Sequence, residues 1–143
     1  LTWSISASGQ PVLLTLTDGQ RSIVRSSERR GSGAAEELAS LCEEFGVNAR
    51  EIRRVRVDTG PGAFTGLRVA IVTARTIAEF AGASIESFTS FEMLSVAALR
   101  AGVADLGDTI QFAFDARRDH VHEGLVSFVP EGRPDRRATR SRP

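Results

Sequence analysis

The nine residues Asp58-Thr-Gly-Pro-Gly-Ala-Phe-Thr-Gly66 constrain this chain more than any other stretch. They lie between a compact β-branched run, Val55-Arg-Val57, and a long segment with helical apolar spacing, so they form a strand-to-helix connection. Gly60 and Gly62 reach backbone angles closed to other residues. Pro61 fixes one angle and removes a donor, and Thr65 is placed to cap the helix that follows. Free amides at a helix start attract anions, which makes Gly60, Gly62, Thr65, Gly66 and Arg68 the candidate nucleotide or anion contact. The competing reading is a tight turn that lets helix and sheet pack closely. The spacing is not a P-loop, because no Lys-Ser/Thr pair follows the last glycine, nor is it a dinucleotide fingerprint.

The flanking pattern supplies the rest of an α/β fold. Thr2–Ser6 alternates Trp3 and Ile5 with small polar residues, Val12–Thr17 forms a second strand, and Asp18-Gly19 is the turn pair of a hairpin whose return strand contains Ile23 and Val24. A helix is expected from about Gly33 to Phe45, ended by Gly46, with Val47 folding back on it. Asn48 with Glu51 reads as a capping box for a short helical turn, and Thr89 with Glu92 as another, opening a helix through Leu99. Between them lie a long helix from Thr65 to Ala81 and a strand, Ser84–Phe88. Strands joined through a helix run parallel, so the sheet is mixed: three antiparallel strands, then parallel ones. Ile110–Phe114 and Val121–Val129 read as a further hairpin.

This order of elements is the one used by ribonuclease-H-like (actin-like ATPase) lobes. Gly60-Pro-Gly-Ala-Phe-Thr-Gly-Leu-Arg-Val-Ala-Ile71 resembles the G-P-G-S-F-T-G-[LV]-R-[IV]-G signature of the TsaB (YeaZ) family. Ser87-Phe-Thr-Ser-Phe-Glu-Met-Leu94 and Phe114-Asp-Ala-Arg-Arg-Asp-His-Val121 resemble two further family segments in the same order. The resemblance implies a ribonuclease-H-like lobe over residues 1–106; the change of pattern beyond Gly107-Asp108 reads as the start of a truncated second lobe over 107–129, and the basic, Pro-containing stretch 130–143, without apolar periodicity, is expected to be a disordered tail. It implies a non-catalytic partner subunit in tRNA N6-threonylcarbamoyladenosine synthesis, binding and activating a TsaD-type catalytic subunit. A TsaE-type ATPase is a further implied partner, a homodimer is implied when the chain is alone, and tRNA is met only indirectly. The implied location is the cytoplasm. No intrinsic cofactor is implied, with ATP or ADP placed at a subunit interface. The chain departs from the family in two places. Ser4-Ile-Ser6 stands where the first strand usually carries Asp-Thr-Ser, and Gly33-Ala-Ala-Glu36 lacks the usual first-helix His.

Catalysis finds little support in the residues. No acidic side chain occurs in Leu1–Gln10 to hold a metal and a phosphate, and His120 and His122 lack a nearby third ligand. No catalytic residue or metal ligand is therefore assigned, and Cys42 reads as a small core residue. Binding has the better case. On the long helix, Leu67, Ala70, Ile71, Ala74, Ile77, Ala78 and Ala81 make one apolar face, while Val69, Val72, Thr76 and Phe80 make a second. A surface helix packed on one sheet needs only one such face, so the second is covered either by another helix of the same domain or by a partner. The resemblance assigns that second face to the partner interface, joined by Ala35, Glu36, Ala39 and Glu43 of the preceding helix. Two other readings stay open, a glycoprotease-like peptidase and a degenerate self-associating homologue without a tRNA role.

Overall composition excludes little beyond this. Eighteen basic residues balance eighteen acidic ones, so net charge does not point to nucleic acid. No apolar run approaches the roughly 18 residues that would cross a membrane. A single cysteine fits a reducing compartment.

Overall fold

The computed structural model describes residues 1–28, 33–117, 120–128, 134–135 and 139–142. Most of the 130–143 tail, including Arg133, Arg136 and Arg137, lies outside the described residues. The chain divides into two compact units, Leu1–Phe88 and Thr89–Pro143, and the boundary expected after residue 106 falls within the second.

The first unit holds strands β1 (Thr2–Ser6), β2 (Val12–Thr17) and β3 (Ser22–Ser27), helix α1 (Ala34–Phe45), a single 3-10 turn (Ala49–Glu51), β4 (Arg54–Asp58), α2 (Phe64–Ala81) and β5 (Ser84–Phe88). The strands form one sheet in the order β3-β2-β1-β4-β5. β1–β2 and β2–β3 are antiparallel, whereas β1–β4 and β4–β5 are parallel, as the helical crossovers require. Alternation puts Trp3, Ile5, Leu14, Leu16, Val55 and Val57 on one face of the sheet. They join Leu38, Leu41, Ala70 and Ala74 of α1 and α2 in a single core. Each fully buried large aliphatic or aromatic side chain there contributes about 1.5–3 kcal/mol of transfer free energy.

Local chemistry sets the ends of the helices. Gly46 takes the left-handed conformation (φ 76°), and the Val47 amide donates to the Cys42 carbonyl, folding Val47 back onto the core. The Asn48–Glu51 capping box closes in both directions.

The second unit begins with the Thr89–Glu92 capping box and α3 (Ser90–Arg100). An antiparallel hairpin follows, β6 (Thr109–Arg117) and β7 (His120–Phe128). Short strands β8 (Pro134–Asp135) and β9 (Thr139–Arg142) pair with β7. Phe91 of α3 joins Ala104, Val126 and Phe128 in a separate core. Gly124 is required there, since a Cβ would stand 2.7 Å from the Phe91 ring.

Candidate functional site

The glycine-rich loop runs from the end of β4 into α2, and its geometry is dominated by packing against the end of β1. A Cβ on Gly62 would meet the Ser8 carbonyl oxygen at 2.2 Å, and one on Gly66 would meet the Ala7 carbonyl oxygen at 2.4 Å. Gly60 has a positive φ of 96°. The Ala63 amide donates to the Ser8 carbonyl at 2.7 Å. The loop therefore serves as the seat on which the backbone at residues 7–8 rests. Three of its amides are held within the chain, Thr59 by the Phe88 carbonyl, Ala63 by the Ser8 carbonyl and Gly60 by the Asp58 carboxylate.

Asp58 is a site residue that sequence reasoning misses. Its side chain is fully buried. Oδ1 accepts from the Gly60 amide at 2.8 Å, and Oδ2 accepts from the Ser6 hydroxyl at 2.7 Å. Ser6 lies in the segment that stands in place of the family's first-strand Asp-Thr-Ser. The carboxylate beside the end of β1 is thus supplied by the neighbouring strand β4.

The loop departs from expectation at the start of the helix. α2 begins at Phe64, and its N-cap is Ala63, which offers no side-chain oxygen. Thr65 lies in the first turn of the helix and does not cap it. Arg68 is exposed, and its guanidinium stacks over the Phe64 ring at 5.4 Å.

The outer surface of the helices is open. On α1, Ala35, Glu36, Ala39 and Glu43 are all exposed. On α2, Val72 (64%), Thr76 and Phe80 (54%) are exposed, whereas Val69 is half-buried. Phe64, at 72% exposure, extends the row, a signal readable in the sequence as an aromatic four positions before Arg68. Phe64, Arg68, Val72, Thr76 and Phe80 follow one another at steps of four, the spacing of a helix-surface ridge. An arginine lies over each terminal ring, Arg68 on Phe64 and Arg50 on Phe80, the latter at 4.6 Å. α1 contributes four glutamates and no basic residue. Among the described residues no three His, Cys, Asp or Glu gather where they could hold a metal ion. No described helix is long and apolar enough to cross a membrane.

Residues 25–129 match the family model described as TsaD: tRNA N6-adenosine threonylcarbamoyltransferase. The chain is 29% identical over 89 residues to the tRNA threonylcarbamoyladenosine biosynthesis protein TsaB of Bacillus subtilis (strain 168), covering 62% of this chain and 37% of that protein. Its fold is similar to YeaZ from Pseudomonas aeruginosa, with a TM-score of 0.85 at 21% identity over 98% of this chain. It is also similar to a solved, uncharacterized protein described as having similarity to the peptidase YeaZ from Pseudomonas aeruginosa, with a TM-score of 0.86 at 22% identity over 99% of this chain. In both cases the match spans 66% of the solved chain, so this sequence is shorter than all three of these relatives.

Proposed function

Because the chain belongs to the TsaB/YeaZ family, within the group described as TsaD: tRNA N6-adenosine threonylcarbamoyltransferase, we propose that it is a non-catalytic partner subunit in tRNA threonylcarbamoyladenosine synthesis. In this reading it docks on a TsaD-type catalytic subunit through α1 and α2. The observation that carries it is the open ridge on α2, Phe64–Arg68–Val72–Thr76–Phe80. Large apolar side chains at 54–72% exposure on a helix whose opposite face already packs on its own sheet have no use within the fold. Such a ridge fits the groove of a second helix crossing at about −50°. The acidic α1 beside it selects a partner helix with basic residues at its rim, which adds orientation more than affinity.

The same surface would pair two copies when the catalytic subunit is absent, and a TsaE-type ATPase would join the assembled complex. Any contact with ATP or ADP falls to the amides left at the start of α2 and to Arg68, and is secondary to docking. The role belongs to the cytoplasm. A peptidase reading through a metal needs a set of ligands, and among the described residues no three His, Cys, Asp or Glu gather to supply one.

Mixing the chain with a TsaD-type catalytic subunit, followed by size-exclusion chromatography with light scattering, tests the proposal. A co-eluting complex of defined mass is expected. Separate elution at micromolar concentrations of both proteins contradicts it and leaves a self-associating homologue as the better account.

A further inference from the structure

The outer surfaces of α1 and α2 carry rows of opposite charge. α1 holds Glu36, Glu37, Glu43 and Glu44 and no basic residue. Glu44 is paired with Arg25, and Glu37 is half-buried. Glu36 and Glu43 are exposed, as are Arg68 and Arg75 on α2, and none of these four makes an ion pair among the described residues. The two glutamates stand seven residues apart, and so do the two arginines. Seven residues are two turns of helix, so each row lies on one side of its helix with its charges about 10 Å apart. Glu36 is the third residue of α1 and Arg68 the fifth of α2, so the rows begin at nearly the same depth in their helices.

The topology makes the two helices run in the same direction. β1–β2 and β2–β3 are both antiparallel, so β3 points the same way as the parallel strands β1, β4 and β5. α1 leads back from β3 to β4 and α2 from β4 to β5, with α1 against β2 and β3 and α2 against β1, β4 and β5. Two copies can stack these helix layers about a two-fold axis in two ways. An axis across the helices sets α1 on the other copy's α1, glutamate row on glutamate row, and like charges oppose that arrangement. An axis along the helices sets α1 on the other copy's α2, running the same way, with Glu36 facing Arg68 and Glu43 facing Arg75. Beside Arg68 opens a cavity of about 350 Å³, lined among the described residues by Thr65, Arg68, Val69, Val72 and Thr73. Its guanidinium and hydroxyls suit an incoming carboxylate, and its valines suit the aliphatic stem.

We infer that two copies of this chain pair about a two-fold axis along the helices, α1 of each on α2 of the other, through Glu36–Arg68 and Glu43–Arg75 ion pairs. The inference rests on the proposed reading of this surface as an interface and adds which helix meets which. Exposed ion pairs are individually weak, but symmetry makes each of these twice, so all four form or fail together. Charges so placed set register and orientation, while the exposed Val72 and Phe80 supply apolar area.

The test uses the chain alone, by sedimentation equilibrium. The wild type is expected to be a dimer that weakens as salt rises. The double variants E36R/E43R and R68E/R75E each set like charges opposite one another at all four contacts and are expected to raise the dimer Kd about a hundredfold. The quadruple variant E36R/E43R/R68E/R75E exchanges the two rows and is expected to return to within about threefold of wild type, a recovery that damage to the fold does not produce. Wild-type affinity in either double variant overturns the inference, as does a quadruple variant no tighter than the doubles. If the charge variants leave the dimer intact while V72E/F80E breaks it, the surface stands as an interface and only the helix assignment falls. A wild type that stays monomeric up to about 100 μM overturns the pairing, and its binding to a catalytic subunit, measured separately, still decides the docking reading.

Discussion

The Ser6 hydroxyl donates to Asp58 Oδ2 at 2.7 Å and so joins the carboxyl ends of two parallel strands, β1 and β4. The other carboxylate oxygen holds the Gly60 amide. This fully buried carboxylate therefore fixes the glycine-rich loop against the strand end that the loop supports. Replacing Asp58 with Ala takes the acceptor from two donors, each costing about 1–3 kcal/mol when left unsatisfied. Asp58→Ala is expected to lower the unfolding free energy by about 2–4 kcal/mol in urea titrations, and Asp58→Asn, which keeps one acceptor oxygen, by about half as much. An Asp58→Ala protein as stable as the wild type would show that the carboxylate is not an anchor.

Gly62 and Gly66 test whether the loop is a packing device. Any side chain at either position collides with the backbone at residues 7–8, which has no flexible end to move aside. Gly62→Ala and Gly66→Ala are each expected to destabilise by about 1–3 kcal/mol, the usual cost of overpacking. A methyl group added at Gly9 would meet nothing within 4 Å, and the φ of Gly9 lies outside the left-handed region. Gly9→Ala is therefore expected to change stability by less than about 0.5 kcal/mol. Urea midpoints for the three variants measured side by side decide the matter, and equal midpoints contradict it.

Cys42 gives the chain a specific response to alkali. Burial pushes its thiol above the usual value of 9.0, and the charge of Glu51 adds to the effect. The folded state thus favours the neutral thiol more than the unfolded state does. The stability this confers is complete below about pH 9 and is lost as the pH rises through the higher folded value. The sequence contains no lysine and no tyrosine, so Cys42 is the side chain that titrates in this window. Between pH 8 and pH 10.5 the wild-type urea midpoint is expected to fall more steeply than that of Cys42→Ala. Parallel lines for the two proteins contradict the assignment.

Much of this structure is legible in the sequence wherever the signal is local. Both capping boxes and the Gly46 and Gly82 helix ends each depend on residues within a few positions of one another, and each forms as expected, whereas the connection at Asp18-Gly19 spans four residues, 18–21, between the paired Thr17 and Ser22 rather than two. The start of α2 falls one residue before the expected Thr65 because Ala63 carries no capping oxygen and so leaves no mark. Asp58 escapes a sequence reading because its partner Ser6 lies fifty-two positions away, and only strand order brings the two together. Phe64 is easily passed over as surface because an aromatic in a glycine-rich loop reads by default as core, yet it projects at the head of the α2 ridge. Val69 shows the reverse: its spacing puts it on the second face, but it is half-buried, so that face is carried by Val72, Thr76 and Phe80.

The measurement that bears most directly on a docking role is titration of the double variant V72E/F80E against a TsaD-type catalytic subunit, beside the wild type, by isothermal calorimetry. Both side chains are exposed, and a glutamate at 80 can pair with Arg50, which now lies over the Phe80 ring. The monomer's unfolding free energy is therefore expected to stay within about 0.5 kcal/mol of wild type. Two charges placed in a buried helix–helix contact are expected to weaken association at least a hundredfold, about 2.7 kcal/mol. A V72E/F80E protein that binds the catalytic subunit with wild-type affinity contradicts the account.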